Sequence, residues 1–167
     1  GSHLIDQALV LFGPVSHVYA ELDHRRPGTD VDDDAFVALT HSSGVRSHLW
    51  MNALVAEPGP RLRVLGTTGS YIKRGMDIQE GGLREGLRPD ESGWGNEPEE
   101  RWGIVGDGST SKRIRTETGG YQLFYAELEM AIRSAEPAPV DIEDAIAGLG
   151  VIEAARTSAA EKRVVSV

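Results

Sequence analysis

Three segments near the start of the chain alternate apolar and polar residues, and this pattern constrains the fold more than any other feature. The segments are residues 15–23, 35–40 and 45–53. A period of two is typical of strands that bury only one face. Polar turns separate the segments, and residues 41–44 have the composition of a hairpin turn. We therefore predict an antiparallel sheet with one buried face.

Helices are predicted at both ends of the chain, where apolar residues recur at spacings of three and four. The first helix ends at Phe12, because Gly13-Pro14 follows it. The second begins at Tyr121, and the third follows the cap residue Asp141. The remaining predicted elements are short: strands at 61–65, from residue 70, at 112–116 and at 164–165, and a helix at 79–85 within a long loop at 74–108.

These elements predict an α+β two-layer sandwich formed by a single domain, residues 1–167. Its mostly antiparallel open sheet has about six strands, with the helices on one face. The other face is expected to carry aromatic and charged side chains together: His17, Tyr19, Glu21, Arg46, His48, Trp50 and Asn52. This mixture is typical of a protein interface, so we expect the face to be available for oligomerisation. The alternative is an ordinary solvated sheet face.

The composition argues against several classes of protein. The chain has no cysteine and a formal net charge of −9. Disulfides and zinc–cysteine sites are therefore excluded, and nucleic-acid or anionic-membrane partners are not expected. No apolar run approaches the roughly 20 residues of a membrane helix, and we expect a cytoplasmic protein. The five histidines and the acidic residues at 30–34 lack the spacing of metal ligands, so no metal site is predicted.

Residue chemistry alone identifies no catalytic motif. The chain contains no Walker A loop, no Gly-x-Ser-x-Gly elbow and no EF-hand loop. The glycine-rich segment 66–70 joins two predicted strands instead of opening a helix, so we do not expect a phosphate-binding loop there. At this level the chain is an α+β domain with an unusual sheet face.

Several segments in order resemble the C-terminal domain of the Gfo/Idh/MocA oxidoreductases, the glucose–fructose oxidoreductase and inositol dehydrogenase type. The resembling segments are Gly1-Ser2-His3-Leu4-Ile5-Asp6, residues 12–15, 34–36, 44–45, 64–70, 121–131 and 140–155. Together they cover nearly the whole chain. Residues 73–80 and 93–98 resemble a subgroup that includes scyllo-inositol dehydrogenases.

The resemblance implies a function. In this family a preceding Rossmann domain binds NAD or NADP, while the α+β domain supplies part of the sugar or polyol pocket and the oligomer interface. No Gly-x-Gly-x-x-Gly follows a strand here, so no cofactor-binding residue is expected in this chain. We expect the substrate-binding and oligomerisation domain of an NAD(P)-dependent sugar or polyol dehydrogenase. The full-length parent would be the enzyme, and this chain alone would be inactive.

The resemblance assigns a catalytic role to His3. It matches the histidine of the family's Asp-x-x-x-His pair, which relays a proton to or from the substrate hydroxyl. The paired aspartate would fall before Gly1. Gly1-Ser2-His3 also matches the remnant of a cleaved purification tag, so the role applies only if His3 is native.

Four residues are candidates for substrate binding. Lys73, Asp77 and Gln79 are expected to hydrogen-bond a polyol, and Trp94 to stack on a sugar ring. The alternative is that the charged groups are solvated and that Trp94 anchors the loop. Tyr125 is expected in the core, with its hydroxyl at an edge.

Two other functions stay open. In the first, the chain is a stand-alone structural or interaction module that oligomerises through its sheet. In the other it binds or converts a ligand without a cofactor, using His3 and Asp6, which are three residues apart on a predicted helix.

Overall fold

A computed structural model describes all residues, 1–167. In chain order its elements are α1 (Ser2–Phe12), β1 (Val15–Asp23), β2 (Asp34–His41), β3 (Arg46–Asn52), β4 (Leu62–Leu65), β5 (Ser70–Lys73), α2 (Gln79–Arg84), β6 (Gly103–Gly106), β7 (Ser111–Ile114), α3 (Tyr121–Ser134), α4 (Ile142–Glu161) and β8 (Val165–Ser166), with one 3₁₀ turn at Glu99–Arg101. These elements divide between two units, one formed by residues 1–56 and 140–167 and one by residues 57–139. The α+β class with open antiparallel sheets is confirmed. The expectation of a single domain stays a prediction.

The first unit is built on a four-stranded antiparallel sheet in the order β3-β2-β1-β8. Val37 of β2 lies opposite Ala20 of β1 and Leu49 of β3, so apolar side chains align across the strands on one face. Helix α4 packs on β1, and α1 packs on α4 and β3. The buried core consists of aliphatic side chains from these elements: Ile5, Ala8, Val15, Val18, Ala20, Val37, Leu39, Val151, Ala154 and Ala155.

Helix α1 ends as the sequence predicted. Gly13 has φ +80°, a conformation that L residues rarely adopt, and its N–H donates to Leu9 O at 2.8 Å. Ile5 and Ala8, three residues apart, face the core.

A β-bulge between Val15 and His17 sets which side chains of β1 face out. Val15 and Val18 are both buried although strict alternation would place them on opposite faces. Beyond the bulge, Tyr19 and Glu21 follow the regular alternation onto the open face. The open side of the sheet therefore begins at His17.

Helix α4 is capped as predicted but is buried only in its second half. The Asp141 side chain accepts a hydrogen bond from Glu143 N at 3.0 Å. Val151 is 1% exposed and packs in the core, whereas Ile142 and Leu149 are exposed. The predicted apolar stripe is therefore only partly covered within this chain.

The second unit contains a second four-stranded antiparallel sheet, in the order β4-β5-β6-β7. The eight strands thus form two sheets rather than the single sheet of about six that the sequence predicted. The missed strand is β6, which lay inside the predicted loop 74–108. Its sequence, Gly-Ile-Val-Gly, is too short and too glycine-rich to show a period of two.

Tertiary packing explains the glycine that opens β6. A Cβ at Gly103 would lie 2.1 Å from the Tyr71 hydroxyl oxygen, so the Tyr71 ring lies directly over this glycine. Tyr71 and Val105 are register partners on neighbouring strands. An aromatic ring that covers a strand glycine substitutes for the missing side chain.

Helix α3 has no buried residue. Its apolar stripe faces outward, with Phe124 42%, Tyr125 69% and Ile132 76% exposed. The expectation that Tyr125 lies in the core is therefore wrong for this chain. The periodicity showed correctly that the stripe exists, but a stripe does not show what covers it.

No helix is both long enough and apolar enough to span a membrane. The longest, α4, has 20 residues but includes several charged side chains.

Candidate functional site

The predicted catalytic residue His3 lies in the first turn of α1 with its side chain exposed. Asp6, three residues later, is exposed as well. Both belong to the first unit, whereas the four predicted substrate-binding residues belong to the second. The role of His3 stays a prediction.

Lys73 is held in a buried ion pair at the end of β5. Its Nζ donates to Glu97 Oε2 at 2.5 Å and to Arg101 O at 2.7 Å, and its side chain is only 16% exposed. Glu97, 5% exposed, also accepts from Thr116 Oγ1 at 2.6 Å. The structure therefore gives Lys73 a role in joining β5 to the loop that contains Glu97.

The pKa of the Glu97 carboxyl lies below its ordinary value. Burial by itself raises this pKa, but hydrogen bonds from Lys73 and Thr116 and the positive charges of Lys73 and Arg101 outweigh burial. Glu97 is thus a charged anchor for the loop. The sequence reasoning missed it, although it lies in the segment 93–98 that carried the subgroup resemblance.

Asp77 and Gln79 are brought together at the start of α2. Gln79 N donates to Asp77 Oδ1 at 2.7 Å, and Gln79 Nε2 lies 3.1 Å from each oxygen of that carboxylate. Gln79 is 2% exposed, whereas Asp77 is exposed. Of this pair, Asp77 is the residue that a ligand can reach.

Trp94 is half-buried and packs against α2. Its indole Nε1 donates to Gln122 Oε1 at 3.1 Å. A Cβ at Gly82 would lie 3.3 Å from both the Trp94 ring and Leu87, so glycine allows this close approach. The ring and Gln79 line one small cavity of about 130 Å³. Trp94 therefore anchors the loop to α2 and also contributes a wall of this cavity.

Tyr121, the first residue of α3, is a second residue that sequence reasoning did not assign to the site. Its backbone N–H donates to Gln79 Oε1 at 2.9 Å. The pKa of its phenol is raised, first by burial and then by the negative charges of Asp77 and Glu80. Because residues 79 and 121 are 42 positions apart, only the fold places them together.

The predicted interface residues lie on the open face of the first sheet. Trp50 is 74% exposed, and its ring lies 4.5 Å from that of Phe36, its register partner on β2. The Phe36 ring also lies 5.8 Å from the His48 ring. Tyr19 donates to Glu21 Oε1 at 2.8 Å. The other predicted members of the face are exposed too: His17, Arg46 and Asn52.

The structure shows neither a group of candidate metal ligands nor a βαβ unit. No three His, Asp or Glu side chains are grouped so that they could hold a metal ion. All strand pairs are antiparallel, so no βαβ unit is present to position a dinucleotide phosphate at a helix N-terminus.

Comparison with known proteins decides the family. The family model described as "Oxidoreductase family, C-terminal alpha/beta domain" (Gfo/Idh/MocA) matches residues 1–167. The chain belongs to the Gfo/Idh/MocA oxidoreductases. It corresponds to the C-terminal domain of that family, as the ordered motifs predicted.

Two curated relatives share about a third of the sequence of this Gfo/Idh/MocA domain. The scyllo-inositol 2-dehydrogenase (NADP(+)) IolW of Bacillus subtilis is 33% identical over 99% of this chain and 47% of its own length. The Escherichia coli oxidoreductase YdgJ is 32% identical over 90% of this chain and 44% of its own length. The chain thus spans about half the length of the curated relatives it matches.

Solved structures agree with this family assignment. The Bacillus subtilis protein yvaA superposes with a TM-score of 0.91 at 33% identity, over all of this chain and 49% of its own. The Yersinia pestis oxidoreductase YPO2259 superposes with a TM-score of 0.88 at 36% identity, over all of this chain and 48% of its own. The Gfo/Idh/MocA domain therefore has the same fold in these relatives.

Proposed function

We propose that this chain is the substrate-binding and oligomerisation domain of an NAD(P)-dependent oxidoreductase that acts on a hydroxyl of a sugar or polyol. The observation that carries the proposal is the 33% identity with a scyllo-inositol 2-dehydrogenase (NADP(+)) along 99% of the chain. An inositol-like polyol is the substrate class that this similarity supports.

Within this function, the chain contributes polyol binding and proton transfer. The exposed Asp77 carboxylate suits polyol hydroxyls, because a carboxylate accepts hydrogen bonds at two oxygens. His3, if native, relays a proton to or from the reacting hydroxyl, a task that suits imidazole because it changes charge near neutral pH. Binding of the nicotinamide cofactor belongs to a preceding domain, since no residues here fit it.

Direct binding measurements with this chain test the proposal. We expect scyllo-inositol to shift amide NMR signals of residues 73–80 in the ¹⁵N-labelled chain, with a dissociation constant of about 1 mM. Cyclohexanol, a ring of similar size with one hydroxyl, should leave these signals unchanged. NADPH fluorescence should show no tight binding. Absence of any response to scyllo-inositol, or tight NADPH binding, would contradict the proposal that this chain binds the polyol and another domain binds the cofactor.

The open face of the first sheet supports the oligomerisation part of the proposal. It exposes a cluster of the large rings of Phe36, His48 and Trp50 beside the charged side chains of Glu21 and Arg46. Large aromatic residues surrounded by polar ones are typical of interface cores and rims. If the chain oligomerised through this face and bound no polyol, a structural module would be the better description.

A further inference from the structure

The Gln79 side chain joins two segments of the second unit that are far apart in sequence, residues 77–79 and the start of α3. Its Nε2 donates to Asp77, and its Oε1 accepts from the backbone N–H of Tyr121. The residue is 2% exposed, and its side-chain nitrogen and oxygen both bond to groups of the protein. Such a buried, fully hydrogen-bonded amide is suited to holding other groups in place.

Close backbone packing makes this junction tight. A Cβ at Gly119 would lie 2.2 Å from Gln79 Nε2 and 3.3 Å from Asp77 Oδ2. Gly119 N donates to Gly95 O at 3.0 Å, and a Cβ at Gly95 would lie 2.1 Å from Gly119 O. The segments that contain residues 77–79, 95 and 119–121 therefore cross with no room for side chains, and the position of Gln79 is narrowly determined.

Two residues with exposed polar groups are attached to this junction, Asp77 through its carboxylate and Tyr121 through its backbone N–H. The Asp77 carboxylate receives its hydrogen bonds from neutral amides of Gln79, so these contacts orient it without neutralising its charge. Tyr121 is 45% exposed, and the negative charges of Asp77 and Glu80 act on its phenol. An oriented carboxylate accepts hydrogen bonds from hydroxyls, and a phenol can both donate and accept them. Together they can bind two neighbouring hydroxyls, one that donates to the carboxylate and one that donates to or accepts from the phenol.

We propose that Gln79 is a positioning residue that holds the Asp77 carboxylate and the Tyr121 phenol as a pair of hydroxyl-binding groups for a polyol. This inference rests on the proposed function and sharpens it. Asp77 and Tyr121 contact the substrate, whereas Gln79, although expected from the sequence to do so, acts only through them. Polyhydroxylated rings with neighbouring hydroxyls are the ligand class that this pair recognises.

The test measures scyllo-inositol binding to the ¹⁵N-labelled chain and to variants of it. Tyr121→Phe removes one hydroxyl from an exposed side chain and should weaken binding about 5-fold, with an unchanged melting temperature. Asp77→Asn removes the charge and should weaken binding about 10-fold. Tyr125→Phe is the matched control, because Tyr125 lies on the same helix and is 69% exposed. It should bind like the unsubstituted chain.

A double-mutant cycle separates positioning from a merely structural role. Gln79→Glu keeps an oxygen acceptor for Tyr121 N and the backbone donor to Asp77, but it removes the side-chain donor and repels the Asp77 carboxylate. It should weaken binding about 10-fold or more, and adding Tyr121→Phe or Asp77→Asn should then have little further effect, because groups that are no longer positioned do not contribute. Melting temperatures of all variants control for loss of the fold.

The outcomes distinguish this inference from the proposed function. If the unsubstituted chain binds scyllo-inositol and Tyr121→Phe and Asp77→Asn bind it equally well, the inference is overturned while the proposed function stands. The positioning role would also be overturned if the losses of binding free energy caused by Gln79→Glu and by either of the other two substitutions were fully additive. If the unsubstituted chain does not bind scyllo-inositol, both the inference and the proposed substrate class are rejected.

Discussion

At the residue scale, several buried polar side chains of this protein connect segments that are distant in sequence. His41 is 1% exposed, and its ring lies between Gly13 O at 2.7 Å and Ser47 Oγ at 2.9 Å. Since a carbonyl only accepts, Nδ1 carries a proton and donates it to Gly13 O, while Nε2 and the serine hydroxyl form the second hydrogen bond. No buried side-chain nitrogen or oxygen lacks a hydrogen-bond partner. Removal of one partner therefore leaves a buried group unsatisfied.

Ser158 shows this effect most directly. Its Oγ accepts from Ala20 N at 2.9 Å and donates to Arg163 O at 2.6 Å, and the residue is 0% exposed. Strand β8 pairs with β1 only at His17 and Val18, and Ser158 provides the acceptor for the backbone N–H of Ala20, which lies beyond this pairing. We expect Ser158→Ala to lower the free energy of unfolding by about 1–3 kcal/mol, measured by urea denaturation.

The neighbouring residue provides the control for this substitution. Thr157 is exposed and donates only to Glu153 O within the same helix. Thr157→Ala should change the free energy of unfolding by less than about 0.5 kcal/mol. Equal effects of the two substitutions would show that the buried hydrogen bonds of Ser158 do not matter.

Asp33 makes stability depend on pH. Its carboxylate accepts from Arg25 N at 2.6 Å and from Arg26 N and Nε at 3.0 and 2.9 Å. The hydrogen bond from the Arg25 backbone, followed by that from the Arg26 side chain, lowers the pKa of Asp33 from 3.8 to about 2. Because the folded pKa is the lower one, its contribution to stability is present above pH 3.8 and is lost as the pH falls towards about 2.

The measurement is the melting temperature as a function of pH. Asp33→Asn should flatten the decrease between these two pH values, since the amide does not titrate. Asp30→Asn, in the same loop but exposed, is the control and should leave the pH dependence as it is. A curve for Asp33→Asn that overlays that of the unsubstituted chain would reject the assignment.

At the element scale, α3 and α4 have similar sequence patterns but different surroundings. The second half of α4 is packed in the core, and Val151 is 1% exposed, whereas Ile132 on α3 is 76% exposed. In this chain we expect Val151→Ala to cost about 2 kcal/mol, because two methylene equivalents and their contacts are lost. Ile132→Ala should cost less than about 0.5 kcal/mol. Urea denaturation of both variants measures the difference.

A large cost for Ile132→Ala would show that α3 is covered in solution, for example by a second copy of the chain. Repeating the measurement at several protein concentrations separates these cases, since coverage by a second copy makes stability depend on concentration.

At the scale of the whole molecule, the open face of the first sheet leads to a prediction about assembly. Trp50 lies beside Phe36 on this face and is 74% exposed. If the face joins two copies, Trp50→Lys places a charge in the interface core and should shift the chain to monomer in sedimentation velocity. Val10→Lys is the control, because Val10 is 78% exposed but lies on α1. A monomeric unsubstituted chain would reject this interface.

Sequence periodicity predicted those elements whose burial alternates regularly. β1, β2, β3, α1 and α4 were predicted close to their observed limits, because each packs one side against the core of the first unit. β6 was missed, because two of its four residues are glycines and it shows no period of two. Tyr125 was misplaced, because an apolar stripe indicates that a helix has a face to cover and not whether this chain covers it.

For the candidate site, the sequence by itself determined the residue types and the family, whereas only the tertiary structure decided their roles. The motifs around Lys73, Asp77, Gln79 and Trp94 are local, so they are visible in the order of residues. Glu97 is joined to Lys73, and Tyr121 to Gln79, by hydrogen bonds between residues 24 and 42 positions apart. Hydrogen bonds of this kind depend on chain crossings that no local pattern records, and they separate Gln79, which is buried, from Asp77, which a ligand can reach.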